Sequence, residues 1–169
     1  MKTETITTRS GIEVEVVDTH RREVRRESEL ARSESNDCVV RAIQHAFEMS
    51  YDDAHKFCAK EFNRKFRDGV LGFEIKMSSY PGMKLDEMTG KSTMEVTKEY
   101  GRTYYKNKGK MVERKKTIGT FIKENHKGTF LVSISRHAFA IKDGVVYGNY
   151  SDGTRARARI VTIWKVVEK

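Results

Sequence analysis

Apolar residues recur at helical spacing between residues 37 and 67 and at strand spacing from residue 129 onward, and the two blocks do not interleave. Helices first and strands afterwards leave no room for a repeated βαβ unit. The order predicts an α+β fold in which N-terminal helices pack on a C-terminal antiparallel sheet. The first helix is expected from about Asp37 to Met49, with Val39, Val40, Ile43, Ala46 and Phe47 on one face and Ser35 or Asn36 as its cap. The second starts at Ser50, where Ser50 and Asp53 have capping-box-like spacing, and runs to about Arg67. Cys58 lies on its apolar stripe with Ala54, Phe57, Phe62 and Phe66. A short helix over Thr117–Asn125 would turn Ile118, Phe121 and Ile122 inward. In the sheet region, Phe130, Val132 and Ile134 alternate with smaller or outward residues, and Asp143-Gly144 between two apolar runs marks a hairpin. The last strand is expected from about Arg155 to Val167, with Ala156, Ala158, Ile160, Thr162, Trp164 and Val166 on one face and Arg155, Arg157 and Arg159 on the other.

Two segments fall outside this frame. Residues 1–34 read as an N-terminal extension, with a short strand at Ile12–Val17 and then a basic and acidic arm. Five arginines and three glutamates in His20–Arg32 suit a solvated helix or arm rather than a phosphate clamp. Residues 69–118 read as a basic insertion, broken by glycines at 69, 72, 82, 90, 101 and 109 and by Pro81. Within it, Arg102–Lys116 holds seven Lys/Arg against one Glu, which suits an exposed basic loop or hairpin. A chain of 169 residues is expected to form one domain over 1–169.

The formal charge of +9 raises nucleic acid as a partner. The surface for it would be Arg102–Lys116 with Tyr104 and Tyr105 interleaved, extended by Arg155, Arg157 and Arg159. A solvated, solubilising charge run explains the same residues and is the commoner case. No apolar run approaches the ~20 residues of a membrane span, and Met1-Lys2-Thr3-Glu4 lacks the apolar core of a signal peptide. Two cysteines are too few for a disulfide framework. A reduced, cytoplasmic protein is the expectation, with no membrane partner.

The chemistry rests on Cys38 and His137. Cys38 falls in the first turn of the first helix, where unpaired N–H groups favour a thiolate and the Cys38 N–H itself can meet an oxyanion. His137 opens an otherwise apolar strand, where it can take and store the thiol proton. Asp37 works against a neighbouring thiolate, so its side chain is expected to turn outward or cap backbone. His20, His45, His55 and His126 rank below His137, being exposed or inside helices. A third group must orient the imidazole, and the hairpin register decides which. A two-residue turn at Asp143-Gly144 puts His137 opposite Tyr150, on the same face as Gly148 and Asp152. A three-residue loop, Lys142-Asp143-Gly144, instead puts Asn149 directly opposite His137. The second register is preferred by a small margin. The catalytic candidates are therefore Cys38, His137, Asn149 and Asp152. No His/Cys/Asp cluster has metal-ligand spacing and no glycine-rich phosphate loop precedes a helix, so neither metal nor cofactor is expected.

Asn36-Asp37-Cys38-Val39-Val40-Arg41-Ala42-Ile43, together with the stretch from Gly128 through Ser135-Arg136-His137-Ala138-Phe139 to Tyr147, resembles the small papain-like cysteine peptidases encoded by bacteriophages, often described as C39-like. The resemblance covers roughly Asn36–Phe66 and Thr117–Lys165. It implies a papain-like fold, Cys38 as nucleophile, His137 as general base, a protein or peptide substrate and, for a phage protein, the host cytoplasm. Three positions depart from the family pattern. Gly148 stands where an Asp often follows the Tyr of the second hairpin strand, Arg136 replaces a Gly before the histidine, and Arg32 stands where a Gln often supplies an oxyanion donor. Asn36 is a substitute donor by proximity. The Gly148 departure keeps open an inactive papain-like binding or inhibitor protein.

Overall fold

The computed structural model describes residues 1–73, 91–96 and 102–168. Strands β1 (Thr3–Thr7) and β2 (Glu13–Asp18) come first, followed by helices α1 (Arg22–Arg25), α2 (Glu29–Ser33), α3 (Cys38–Phe47) and α4 (Tyr51–Phe62). Next come β3 (Lys91–Val96), β4 (Arg102–Asn107), β5 (Lys110–Lys115) and the short helix α5 (Ile118–Glu124). The chain ends with β6 (Thr129–Ile134), β7 (His137–Lys142), β8 (Val145–Gly148), α6 (Tyr150–Thr154) and β9 (Thr162–Glu168). The α+β class holds. The glycines at 82, 90 and 101 and Pro81 lie outside the described residues.

Seven strands form one sheet in the order β1-β2-β8-β7-β6-β9-β3. The expected antiparallel sheet is in fact mixed, because β2 pairs parallel to β8, Val16 with Val146 and Asp18 with Gly148. Residues 1–34 are thus not an appendage: they supply one edge of the sheet and the two short helices beside α3. β4 and β5 form a separate hairpin closed by Lys108-Gly109, both at positive φ, and Lys106, Lys108, Lys110, Arg114 and Lys115 are exposed.

The sheet is covered on both faces, which explains why every residue from Phe130 to Ile134 is buried. Leu131, Ala138, Ala140, Trp164 and Val166 pack against α3 and α4, while Phe130, Val132, Phe139, Ile141 and Val146 pack against α5, β1 and β2. The outward residues expected on β6 are therefore interior; strand alternation here separates two cores rather than core from water.

Several boundaries differ from expectation for local reasons. α3 stops at Phe47 because Glu48 turns left-handed (φ +53°), and α4 stops at Phe62 because Asn63 does the same (φ +52°). Phe66 is consequently 53 % exposed and leaves the apolar stripe. Ser50 caps α4, accepting the Asp53 N–H at 3.1 Å. α3 has neither Ser35 nor Asn36 as its cap; Asp37 occupies that position without a side-chain capping bond. β9 begins only at Thr162, because the residues before it bond to α5 instead. Ala156 and Ala158 carbonyls accept the Gly119 and Ile118 N–H groups at 2.8 and 3.0 Å, meeting donors that a helix start leaves unpaired. Gly119 permits this approach, since a Cβ there would lie 3.2 Å from the Ala156 oxygen. Among the described residues no helix is long and apolar enough to cross a membrane.

Candidate active site

Cys38 is the first residue of α3, and α3 lies across β7, the strand that His137 opens. The helix start leaves the Cys38 N–H among those with no acceptor inside the helix. Cys38 and His137 line one cleft of about 590 Å³, near enough for the thiol to act on the charge of the imidazole. Val39, Val70, Leu71 and Phe73 make the cleft largely apolar on the helix side, with Gly69 and Gly72 between them; Arg136 and Ala138 flank His137 on the other. Cys58 is sealed inside α4, and burial pushes its thiol up to about 12. The two cysteines thus have opposite environments.

The residue hydrogen-bonded to the His137 ring is Asp152, not Asn149. His137 Nε2 lies 2.9 Å from both Asp152 oxygens and is hydrogen-bonded to Oδ2. That commitment leaves Nδ1 for the sulfur. Asn149 donates its backbone N–H to the same Asp152 oxygen at 2.8 Å and starts α6, so its role is to help hold the carboxylate. The preferred three-residue loop is also corrected. β7 and β8 pair Ala140 with Tyr147, Ile141 with Val146 and Lys142 with Val145, the register of a two-residue turn. Asp143 (φ +48°) and Gly144 (φ +81°) both adopt the positive φ that this tight turn requires.

Gly148 explains how an aspartate beyond the strand reaches the histidine. A Cβ at this position would lie 2.2 Å from Asp152 Oδ2 and 3.0 Å from the Phe139 Cβ. The space vacated by the missing side chain is where the Asp152 carboxylate sits. Gly153 performs a similar service behind it, where a Cβ would meet Val16 at 2.3 Å and Ile6 at 2.6 Å. Gly148→Ala is expected to drive Asp152 off His137 and to cost roughly 1–3 kcal/mol by overpacking. Thermal melting gives the second quantity. The first is measured as the rate of Cys38 alkylation, which should fall to that of a variant lacking the Asp152 carboxylate.

Burial disfavours the charged form of His137, yet the Asp152 bond and the contact with Cys38 more than compensate and lift it to about 9. The site thus favours the charged form of the ring, the form it takes on receiving a proton. Asp37 behaves differently from expectation: rather than turning outward, it is buried. It accepts hydrogen bonds from Arg25 Nη2 (2.9 Å), Tyr51 Oη (2.8 Å) and Arg41 Nε (3.3 Å). Burial penalises its charge, but these donors win and hold the carboxyl below its ordinary range. Its charge is thus engaged by two guanidiniums rather than directed at the sulfur next door.

A second buried carboxylate steadies the other approach to α3. Glu34 accepts from Arg64 Nη2 at 2.9 Å and from the Arg67 N–H at 3.0 Å, and meets His55 Nε2 at 2.6 Å. Against the penalty of burial, those partners lower it to about 2. Asn36 is not free to serve as an oxyanion donor, because its side-chain amide bonds the Arg67 carbonyl at 3.0 Å. Arg32 lines a separate basic cavity rather than the cleft. Sequence reasoning missed the Asp37 clamp and the cleft wall at residues 69–73. Tyr51 and Arg41, each four residues or more from Asp37 on helices, gave no local sign of converging on it. Among the described residues no group of three metal-binding side chains is assembled. The chain matches no protein-family model, no curated protein and no solved structure.

Proposed function

We propose that this protein is a papain-like cysteine hydrolase acting on a peptide or isopeptide bond through a thioester acyl-enzyme. The observation that carries the reading is the line Cys38–His137–Asp152: a helix start and a strand start that share one cleft, and a carboxylate fifteen residues beyond the histidine, seated over a glycine. In this reading the thiol passes its proton to His137 and the sulfur attacks the substrate carbonyl. The Cys38 N–H donates to the oxyanion as the carbonyl carbon becomes tetrahedral. The imidazolium then protonates the leaving amine, and water, deprotonated by the same ring, releases the acid and restores the thiol. Deamidation or acyl transfer would use the same acyl-enzyme with a different leaving group or acceptor.

Two observations favour this reading over its rivals. Asp152 fills the place that Gly148 had left in doubt, which weakens the case for an inactive binding protein. The exposed β4–β5 hairpin is the surface a nucleic-acid partner would meet, and among the described residues none of Lys106–Lys115 lines the Cys38 cleft, whose arrangement that rival leaves unexplained. The test is alkylation by iodoacetamide followed by mass analysis. Cys38 should react at least tenfold faster than Cys58, and His137→Ala should remove most of that advantage. Equal, slow modification of both thiols would sink the hydrolase.

A further inference from the structure

We propose that the depression bounded by His20, Arg22, Arg25, Arg26 and Arg32 is a binding site for a small anion carrying two or three linked phosphoryl groups. Five basic side chains line this one cavity of about 460 Å³. The segment is nearly charge-balanced in sequence, but the fold sorts its charges. Glu27 is drawn off to Arg41 (2.5 Å) and Gln44 (2.9 Å), Glu23 and Glu29 do not line the cavity, and Arg21 pairs with Glu4 and Asp18 outside it.

What remains is a floor and a rim. Arg25 forms the floor, tied down by the Glu34 carbonyl at 3.1 Å and by Asp37 at 2.9 Å. His20 stands beside it, with Nε2 3.9 Å from Asp37 Oδ1. Arg22, Arg26 and Arg32 form the rim; among the described residues their guanidiniums have no hydrogen-bond or ion-pair partner. Guanidiniums stay charged at any physiological pH, so bringing four to one cavity is repulsive until an anion enters. Their forked donors match phosphoryl oxygens two at a time. The cavity exceeds the needs of a single tetrahedral anion, and its charge suits a short chain of them. The cavity shares no lining residue with the Cys38 cleft, so the inference stands apart from the proposed catalysis.

The experiment is calorimetric titration of the full chain with inorganic pyrophosphate at low salt and neutral pH. One site is expected, with affinity falling steeply as potassium chloride is added. The triple variant Arg22→Gln, Arg26→Gln, Arg32→Gln should weaken binding at least tenfold at an unchanged melting temperature, since all three side chains are exposed. Lys106→Gln, Lys108→Gln, Lys110→Gln on the β4–β5 hairpin, which does not line the cavity, should leave it unaltered. ADP and adenosine form the other arms. ADP binding no more tightly than pyrophosphate, with adenosine silent, identifies the phosphoryl chain as what is recognised; adenosine binding by itself overturns the proposal. So does wild-type binding by the arginine variant, loss of binding in the lysine variant, or no heat from pyrophosphate at millimolar concentration.

Discussion

Asp37→Ala should lower the stability of the folded protein by roughly 3–5 kcal/mol, the cost of stripping one partner from a buried ion pair. The side chain is 2 % exposed and serves three donors on three different elements: Arg25 on α1, Arg41 on α3 and Tyr51 on α4. Arg41 is buried even more completely, at 1 %, and among the described residues would keep only Glu27 as a charged partner. Natural domains have roughly 5–15 kcal/mol in hand, so this single change removes a large share. The pH dependence has a defined sign. Because the folded carboxyl is held below its ordinary 3.8, its contribution is complete above that value and disappears as pH falls through the lower folded value. The difference between wild type and variant in urea denaturation should therefore shrink only in strong acid. A loss below about 1 kcal/mol at neutral pH would mean that the clamp is ornamental.

Asp152→Asn should slow any acylation of Cys38 by roughly 10²–10⁴-fold, the range typical of a disabled general acid–base partner. The carboxylate is fully buried and takes bonds from both His137 Nε2 and the Asn149 N–H. An amide can point its NH₂ at the ring, reversing donor and acceptor, and it carries no charge to hold an imidazolium. His137 should then fall from about 9 toward or below 6.5, because the burial that opposes its charge remains. A proton NMR titration of the ring reads this shift separately from the rate. In the wild type, stability contributed by the charged ring is complete below 6.5 and lost as pH rises through 9; in the variant that loss should vanish. An unmoved ring titration would remove Asp152 from the proposed machinery.

The two ends of the candidate site were legible because each has a local signature. A polar cap followed by an apolar helical stripe places Cys38 at a helix start, and an apolar alternating run places His137 on a strand. The third member was not resolved by the same means. Choosing between Asn149 and Asp152 required knowing whether Asp143 would accept a left-handed conformation, and aspartate is one of the few residues for which both answers are common. α6 is too short to show a period, so Asp152 looked like a loop residue. The parallel partnership of β2 with β8 was equally hidden, because strand pairing across most of the chain leaves no trace in either strand alone. Arg41 was misleading in another way. It lies off the apolar face of its helix, yet it is buried and paired with Glu27 in the link between α1 and α2.

That β2–β8 pairing also fixes an order of events during synthesis. A ribosome adding about 5–20 residues each second exposes Cys38 for roughly five to twenty seconds before His137, and then Asp152, has been made. The edge strands wait over the same interval for β8 to dock against β2. A nascent chain therefore carries Cys38 for that interval without the His137–Asp152 pair that the folded protein sets at the same helix start.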